Sequence, residues 1–163
     1  MSHTSGFVDD YLAYLLARAS HLISSEFHAV VEASGLSLLE WRVMASLSGK
    51  DALSVGELTD IVLAKQPTVT KLVGRMAEAG WVKRVDAAHD KRQSLVSLTA
   101  AGQRKVKPLL AQAQAHEAQV VADMGGNEVQ QLKQVLERLI AVRGSAQSHG
   151  TQPTTPHIQR SKP

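Results

Sequence analysis

Residues 66–99 constrain this chain more than any other stretch. They read QPTVTKLVGRMAEAG, WVKRVDA, AHDKRQ and SLVSLT in order. The first piece is an amphipathic helix closed by Gly80, the second a strand led by Trp81, the third a polar turn, the fourth another strand. Val69, Leu72, Val73 and Met76 fall on one face of the helix. Pro67, Lys71, Gly74, Arg75 and Glu78 fall on the other, with Thr68 and Thr70 on the flanks. Gln66 is the expected cap and Pro67 the first helical residue, where a missing amide costs nothing.

Punctuation elsewhere is equally local. Ser37 with Glu40 and Ser54 with Glu57 are capping boxes, in which hydroxyl and carboxylate satisfy backbone amides that a helix leaves free. They open a helix ending near Gly49 and a short one running through Leu63. Before them, residues 8–34 carry an apolar stripe through Leu12, Leu15, Leu16, Ala19, Leu22, Ile23, Phe27, Val30 and Val31. After the strands, Thr99 caps a long helix to about Met124, with Pro108 inside it expected to bend or break it locally. Asn127 with Gln130 offers a third cap, for a helix to about Arg143. Residues 144–163, rich in Gly, Ser, Thr and Pro, read as a disordered tail.

Charge is concentrated where the pattern is. Residues 61–110 hold ten Lys and Arg against three Asp and Glu, a local +7 in a chain of net charge +3. A field of that sign suits a polyanion. The short helix at Ser54–Leu63, a brief connection and the helix at Gln66–Ala79 have the layout of a helix-turn-helix, whose second helix enters the DNA major groove. Thr68, Thr70 and Lys71 sit near that helix's start, where the dipole favours phosphate. Lys91 and Arg92 at the turn can reach a minor groove. Asp90 beside them is expected to orient Arg92 or Arg75, since an acid aimed at DNA is repelled. Gly74, which costs about 1 kcal/mol against Ala in a helix, is explained by a close approach or by an unimportant surface position.

These residues carry a family resemblance. QPTVTKLVGRMAEAGWVKRVDAAHDKRQSLVSLTAAGQ resembles the recognition helix and wing of MarR-type regulators, and Asp90-x-Arg92 followed by Leu98-Thr99 matches that family's wing signature. The similarity covers about residues 8–143, including Trp41-Arg42-Val43. It implies a mainly α fold with a small β-hairpin wing: a winged helix-turn-helix at 36–99 with N- and C-terminal dimerisation helices at 8–34 and 100–143, forming a homodimer, usually a repressor. Carried over by position, Thr68, Thr70, Lys71 and Arg75 serve the recognition helix, Lys91 and Arg92 the wing, with Asp90 in support. Gln66-Pro67 departs from the Ser/Thr usual at that helix start, so readout there transfers least.

The resemblance also implies a small-molecule effector, commonly an aromatic acid or a related metabolite such as a CoA thioester, bound between the dimerisation helices and the winged domain. Arg18, His21, Phe27, His28, Trp41, Arg42 and Met44 lie near that junction; each alone reads more readily as a core or interface residue. An arginine and a histidine facing a Trp wall suit a planar carboxylate. The N-terminal segment particularly resembles regulators of aromatic-acid breakdown, so repression of such an operon, or of an efflux operon, is the expected role. A constitutive architectural DNA binder without effector is the alternative.

Other classes fit poorly. The sequence has no Gly-rich phosphate loop, no Gly-x-Ser-x-Gly elbow and no metal-ligand cluster, so neither an enzyme nor a cofactor is expected. His21 and His28 share a helical face, but with only Glu26 and Glu32 nearby no metal site is expected. The absence of Cys excludes a thiol-based oxidant sensor. No apolar run approaches a membrane span and the N-terminus has no signal-peptide pattern, so a cytoplasmic location without membrane contact is expected. Replacing Arg92 by Ala should lower DNA affinity by about 1–3 kcal/mol while leaving the dimer intact; gel shifts at fixed salt with unchanged affinity would remove Arg92 from the interface.

Overall fold

The computed structural model describes residues 6–86 and 94–148. A 3-10 turn at Phe7–Asp10 leads into α1 (Leu12–Ala33), followed by α2 (Leu38–Leu47), β1 (Leu53–Ser54), α3 (Val55–Val62), α4 (Gln66–Glu78), β2 (Val82–Asp86), β3 (Ser94–Leu98), α5 (Ala100–Met124) and α6 (Gly126–Ser148). The chain divides into two compact units, Met1–Ala118 and Gln119–Pro163.

The capping boxes form as the sequence requires. Ser37 donates its amide to Glu40 Oε2 at 2.8 Å while Glu40 N donates to Ser37 Oγ at 3.3 Å. Ser54 N reaches Glu57 Oε2 at 2.7 Å, and Glu57 N donates to Ser54 Oγ at 3.2 Å. The Ser54 amide, then its hydroxyl, hold the Glu57 carboxyl below its ordinary value of 4.5, with Lys50 adding a smaller pull. A lowered carboxyl pKa contributes stability that is complete above the ordinary value and lost as pH falls through the lowered one.

Within the first unit, one core gathers Val31 of α1, Val43, Met44 and Leu47 of α2, Leu58 and Val62 of α3, the inner face of α4, Val82 and Val96 of the sheet, and Val106 and Leu109 of α5. The sheet is antiparallel in the order β1-β3-β2. Val82 faces Leu98, Lys83 faces Ser97 and Arg84 faces Val96 across β2–β3. In the second unit Val129 of α6 is buried.

Several local expectations shift. The sheet has a third strand, β1, whose two residues pair Leu53 with Val96 and Ser54 with Leu95; so short a strand leaves no alternation to read. Lys65, not Gln66, is the N-cap of α4, without a side-chain bond, so Gln66 is the first helical residue and Pro67 the second. The helix tolerates Pro there because first-turn amides have no partner to lose. The expected first helix is divided at Tyr11, whose extended backbone ends the 3-10 turn and starts α1. Helix α5 is continuous through Pro108, so no local break occurs. Gly125 at φ 94° precedes α6, which places Asn127 inside the helix rather than at its cap. That helix runs on to Ser148, and the rest of the expected tail lies outside the described residues.

The turn of the helix-turn-helix is strained. Leu63 ends α3 with φ 55° and ψ 46°, and its side chain is 87 % exposed. A left-handed backbone costs a β-carbon-bearing residue roughly 1–2 kcal/mol, and little burial is available to offset it. Leu63→Gly should therefore raise stability by about 1 kcal/mol in urea unfolding; a loss of stability would show that the leucine side chain contributes packing here.

Candidate nucleic-acid interface

Helix α4 is bound to the domain along one face and open along the other. Val69, Leu72, Val73 and Met76 are 0–2 % exposed. Burying four such side chains stabilises the clamp by about 1.5–3 kcal/mol each. The opposite face, through Pro67, Thr68, Lys71, Gly74, Arg75 and Glu78, lines an open concave surface of about 590 Å³. A β-carbon added at Gly74 would meet nothing within 4 Å, so no packing inside the chain demands glycine there. Thr70 is exposed but outside that concavity, and its hydroxyl donates to Gln66 O at 2.9 Å. That bond returns one donor to the helix itself.

At the start of α4 the amides are largely spent. Thr68 N donates to Lys65 O at 2.9 Å and Val69 N to the same oxygen at 3.1 Å. Pro67 has no amide, so Gln66 supplies the open N–H of this first turn. Asp90, Lys91 and Arg92 lie outside the described residues. The strands on either side of them are held through Thr99. Its Oγ1 donates to Gly80 O at 2.6 Å, contacts Trp81 O at 3.2 Å and accepts from Gly102 N at 3.0 Å.

A second concavity lies between α1, α2 and α5. Phe27, His28, Trp41 and Arg42 line a cavity of about 210 Å³ together with Ile23, Ser24, Leu38, Ala113 and His116. The Phe27 and Trp41 rings are 5.4 Å apart, tilted by 55°. His116 Nε2 is 3.0 Å from Glu26 Oε2, and its ring centroid is 5.9 Å from that of Phe27. Three of the expected effector residues are not brought there. Arg18 and His21 are exposed on α1 outside the lining, and Met44 is fully buried in the core. Their helix spacing from Phe27 and Trp41 points them elsewhere: Met44, three residues beyond Trp41, sits where α2 meets the core. His116 is a lining residue that the sequence does not single out as an effector contact. It stands seven residues after Leu109 and three after Ala113, a polar side chain on an apolar stripe, and that interruption is the signal that marks it.

Comparison with known proteins bears on this geometry. A model described as the MarR family matches residues 34–93, from just after α1 to beyond β2. The solved structure of a MarR-family transcriptional regulator from Silicibacter pomeroyi is 36 % identical, covers 84 % of this chain and 98 % of its own, and superposes with a TM-score of 0.76. The chain belongs to the MarR family of transcriptional regulators. Its fold is the winged helix-turn-helix, and its family is one of regulators rather than enzymes. Among curated relatives, the homoprotocatechuate degradative operon repressor of Escherichia coli is 28 % identical over 85 % of this chain and 93 % of its own length. The transcriptional activatory protein BadR of Rhodopseudomonas palustris is 32 % identical over 72 % of this chain and 70 % of its own.

For this regulator, Lys71→Ala should weaken DNA binding about equally across sequences and reduce the slope of log affinity against log salt by about 1. A slope equal to that of the parent protein, measured by fluorescence anisotropy over a salt series, would argue against a phosphate contact at Lys71.

Proposed function

We propose that the protein is a homodimeric repressor that binds a pseudo-palindromic operator through α4 and the wing, and releases it when an aromatic carboxylate enters the cavity walled by Phe27 and Trp41. The observation that carries DNA binding is the division of α4 into a fully buried apolar face and an open face bearing Thr68, Lys71 and Arg75. A helix so clamped presents its polar side chains at fixed positions, as groove readout requires.

Dimerisation rests on apolar surface that one copy leaves bare. On the N-terminal turn and α1, Phe7, Tyr11, Leu12, Leu15 and Leu22 are exposed. On α6, Leu132, Val135, Ile140 and Val142 are exposed as well. A second copy covers such stripes most simply, and a two-fold dimer then reads half-sites about 10 bp apart.

The effector class follows from the cavity's chemistry. The tilted Phe27 and Trp41 rings wall one side of the slot, and Arg42 and His28 supply donors for an acid group or a ring hydroxyl. The E. coli relative, named for an operon that degrades an aromatic acid, supports the same class. The slot lies against α1, α2 and α5, so a ligand there can alter how the winged part is held relative to the helices that join two copies.

Light scattering at micromolar concentration should give twice the chain mass; a monomer would contradict the interface. Calorimetry with homoprotocatechuate and simpler aromatic acids should show binding that Trp41→Ala weakens at least about tenfold, with operator affinity of the ligand-free protein unchanged. Ligands that bind without loosening the operator complex would favour a constitutive DNA binder instead.

A further inference from the structure

A polar cavity lies apart from both surfaces described above, where the turn between α2 and β1 meets the β2–β3 ladder and the first turn of α5. It is a surface cavity of about 390 Å³ lined by Leu47, Ser48, Gly49, Lys50, Asp51, Lys83, Ser97, Leu98 and Gln103. Ser97 is the telling member. It is 7 % exposed, and its Oγ has no hydrogen-bond partner among the described residues. A buried hydroxyl that the chain itself leaves unpaired is open to an acceptor in the cavity, water or solute.

The sheet register says which charges share that space. Ser97 stands directly opposite Lys83 in the β2–β3 ladder, so both side chains leave the sheet on the same face. Val82 and Val96, next to them in sequence, point the other way into the core. Lys50 enters from the turn after α2, and Gln103 from α5 brings an amide. Neither lysine forms an ion pair within 4.0 Å among the described residues. Asp51 is the one acid in the lining, so the cavity keeps an excess of positive charge. A cation would find a single carboxylate there, and no group of three His, Asp or Glu side chains suited to a metal occurs among the described residues.

We propose that the cavity bounded by Lys50, Lys83, Ser97 and Gln103 seats a phosphate-type oxyanion. Two ammonium groups, one hydroxyl and one carboxamide arrive from three different elements, which matches an anion offering several acceptors in different directions. Ser97 gives its hydroxyl hydrogen to the anion and so loses its unpaired state. The oxyanion comes either from free phosphate in solution or from the DNA backbone near the wing base. This assignment is independent of the aromatic-acid cavity and of its effector.

Amide NMR of the full-length protein, titrated with inorganic phosphate at constant ionic strength against a chloride control, separates these sources from an empty cavity. For free phosphate, saturable shifts are expected at Gly49, Lys50 and Ser97, and Ser97→Ala or Lys83→Ala should weaken them at least about tenfold. For backbone phosphate, no saturation is expected. Instead the Lys50→Ala/Lys83→Ala double variant should reduce the salt slope of DNA binding by about 2, and Ser97→Ala should lower DNA affinity. Ser97→Ala removes only the unpaired oxygen, so it should fold at least as stably as the parent and keeps the test valid if a lysine variant fails to fold. Shifts that persist in both single variants, or an unchanged slope together with no phosphate response, would overturn the proposal.

Discussion

Four elements of the winged domain are tied at one hydroxyl. Thr99 Oγ1 reaches back to Gly80 O and Trp81 O, joining the end of α4 and the start of β2, while accepting the Gly102 amide that opens α5. Thr99 N adds a bond to Trp81 O at 3.0 Å. Gly102 is required by the same junction, since a β-carbon there would collide with the Trp81 carbonyl oxygen. Lys105, one turn further along α5, lies 5.0 Å from the centre of the Trp81 ring and donates to Ser34 O at 3.2 Å, beyond the end of α1. Helix α4, strand β2 and helix α5 therefore meet around the Trp81 backbone, and Lys105 links that junction to the residue that follows α1. A shift of α5 or α1 is felt at the recognition helix through hydrogen bonds rather than through loose packing.

The clamp on α4 sets the second constraint. Its four buried side chains meet a core drawn from α1, α2, α3, α5 and the three strands, which fixes its placement. Its outer face bears no comparable packing, and Gly74 stands there in open space. The same helix is thus rigid in position and free in surface chemistry, so its outer residues can change without disturbing the fold.

What could be read from sequence was what is local. Ser37 with Glu40, Ser54 with Glu57 and Thr99 each declare a helix start within four residues, and each cap forms. The inner face of α4 was legible because helical periodicity depends on spacing alone. Features joining distant segments were not. β1 exists because Leu53 and Ser54 find partners about forty positions later in β3. His116 joins the aromatic cavity because α5 crosses α1 at Glu26, ninety residues away. Met44 illustrates the converse: close in sequence to Trp41 and Arg42, it turns on its helix into the core. Neighbourhood along the chain stood in for neighbourhood in space, and over three residues of helix those are different things.

The capping boxes have an electrostatic consequence beyond holding two helices in register. Glu40 and Glu57 place a carboxylate on the start of α2 and of α3, cancelling the partial positive charge that a helix presents there. The start of α4 has no such acid and no side-chain cap; Lys65 occupies its N-cap instead. Three helix ends in the same small domain thus differ in sign, two muted and one left positive. A polyanion near this domain therefore meets a gradient rather than a uniformly basic surface, with the positive field weakest at the starts of α2 and α3 and strongest at the start of α4.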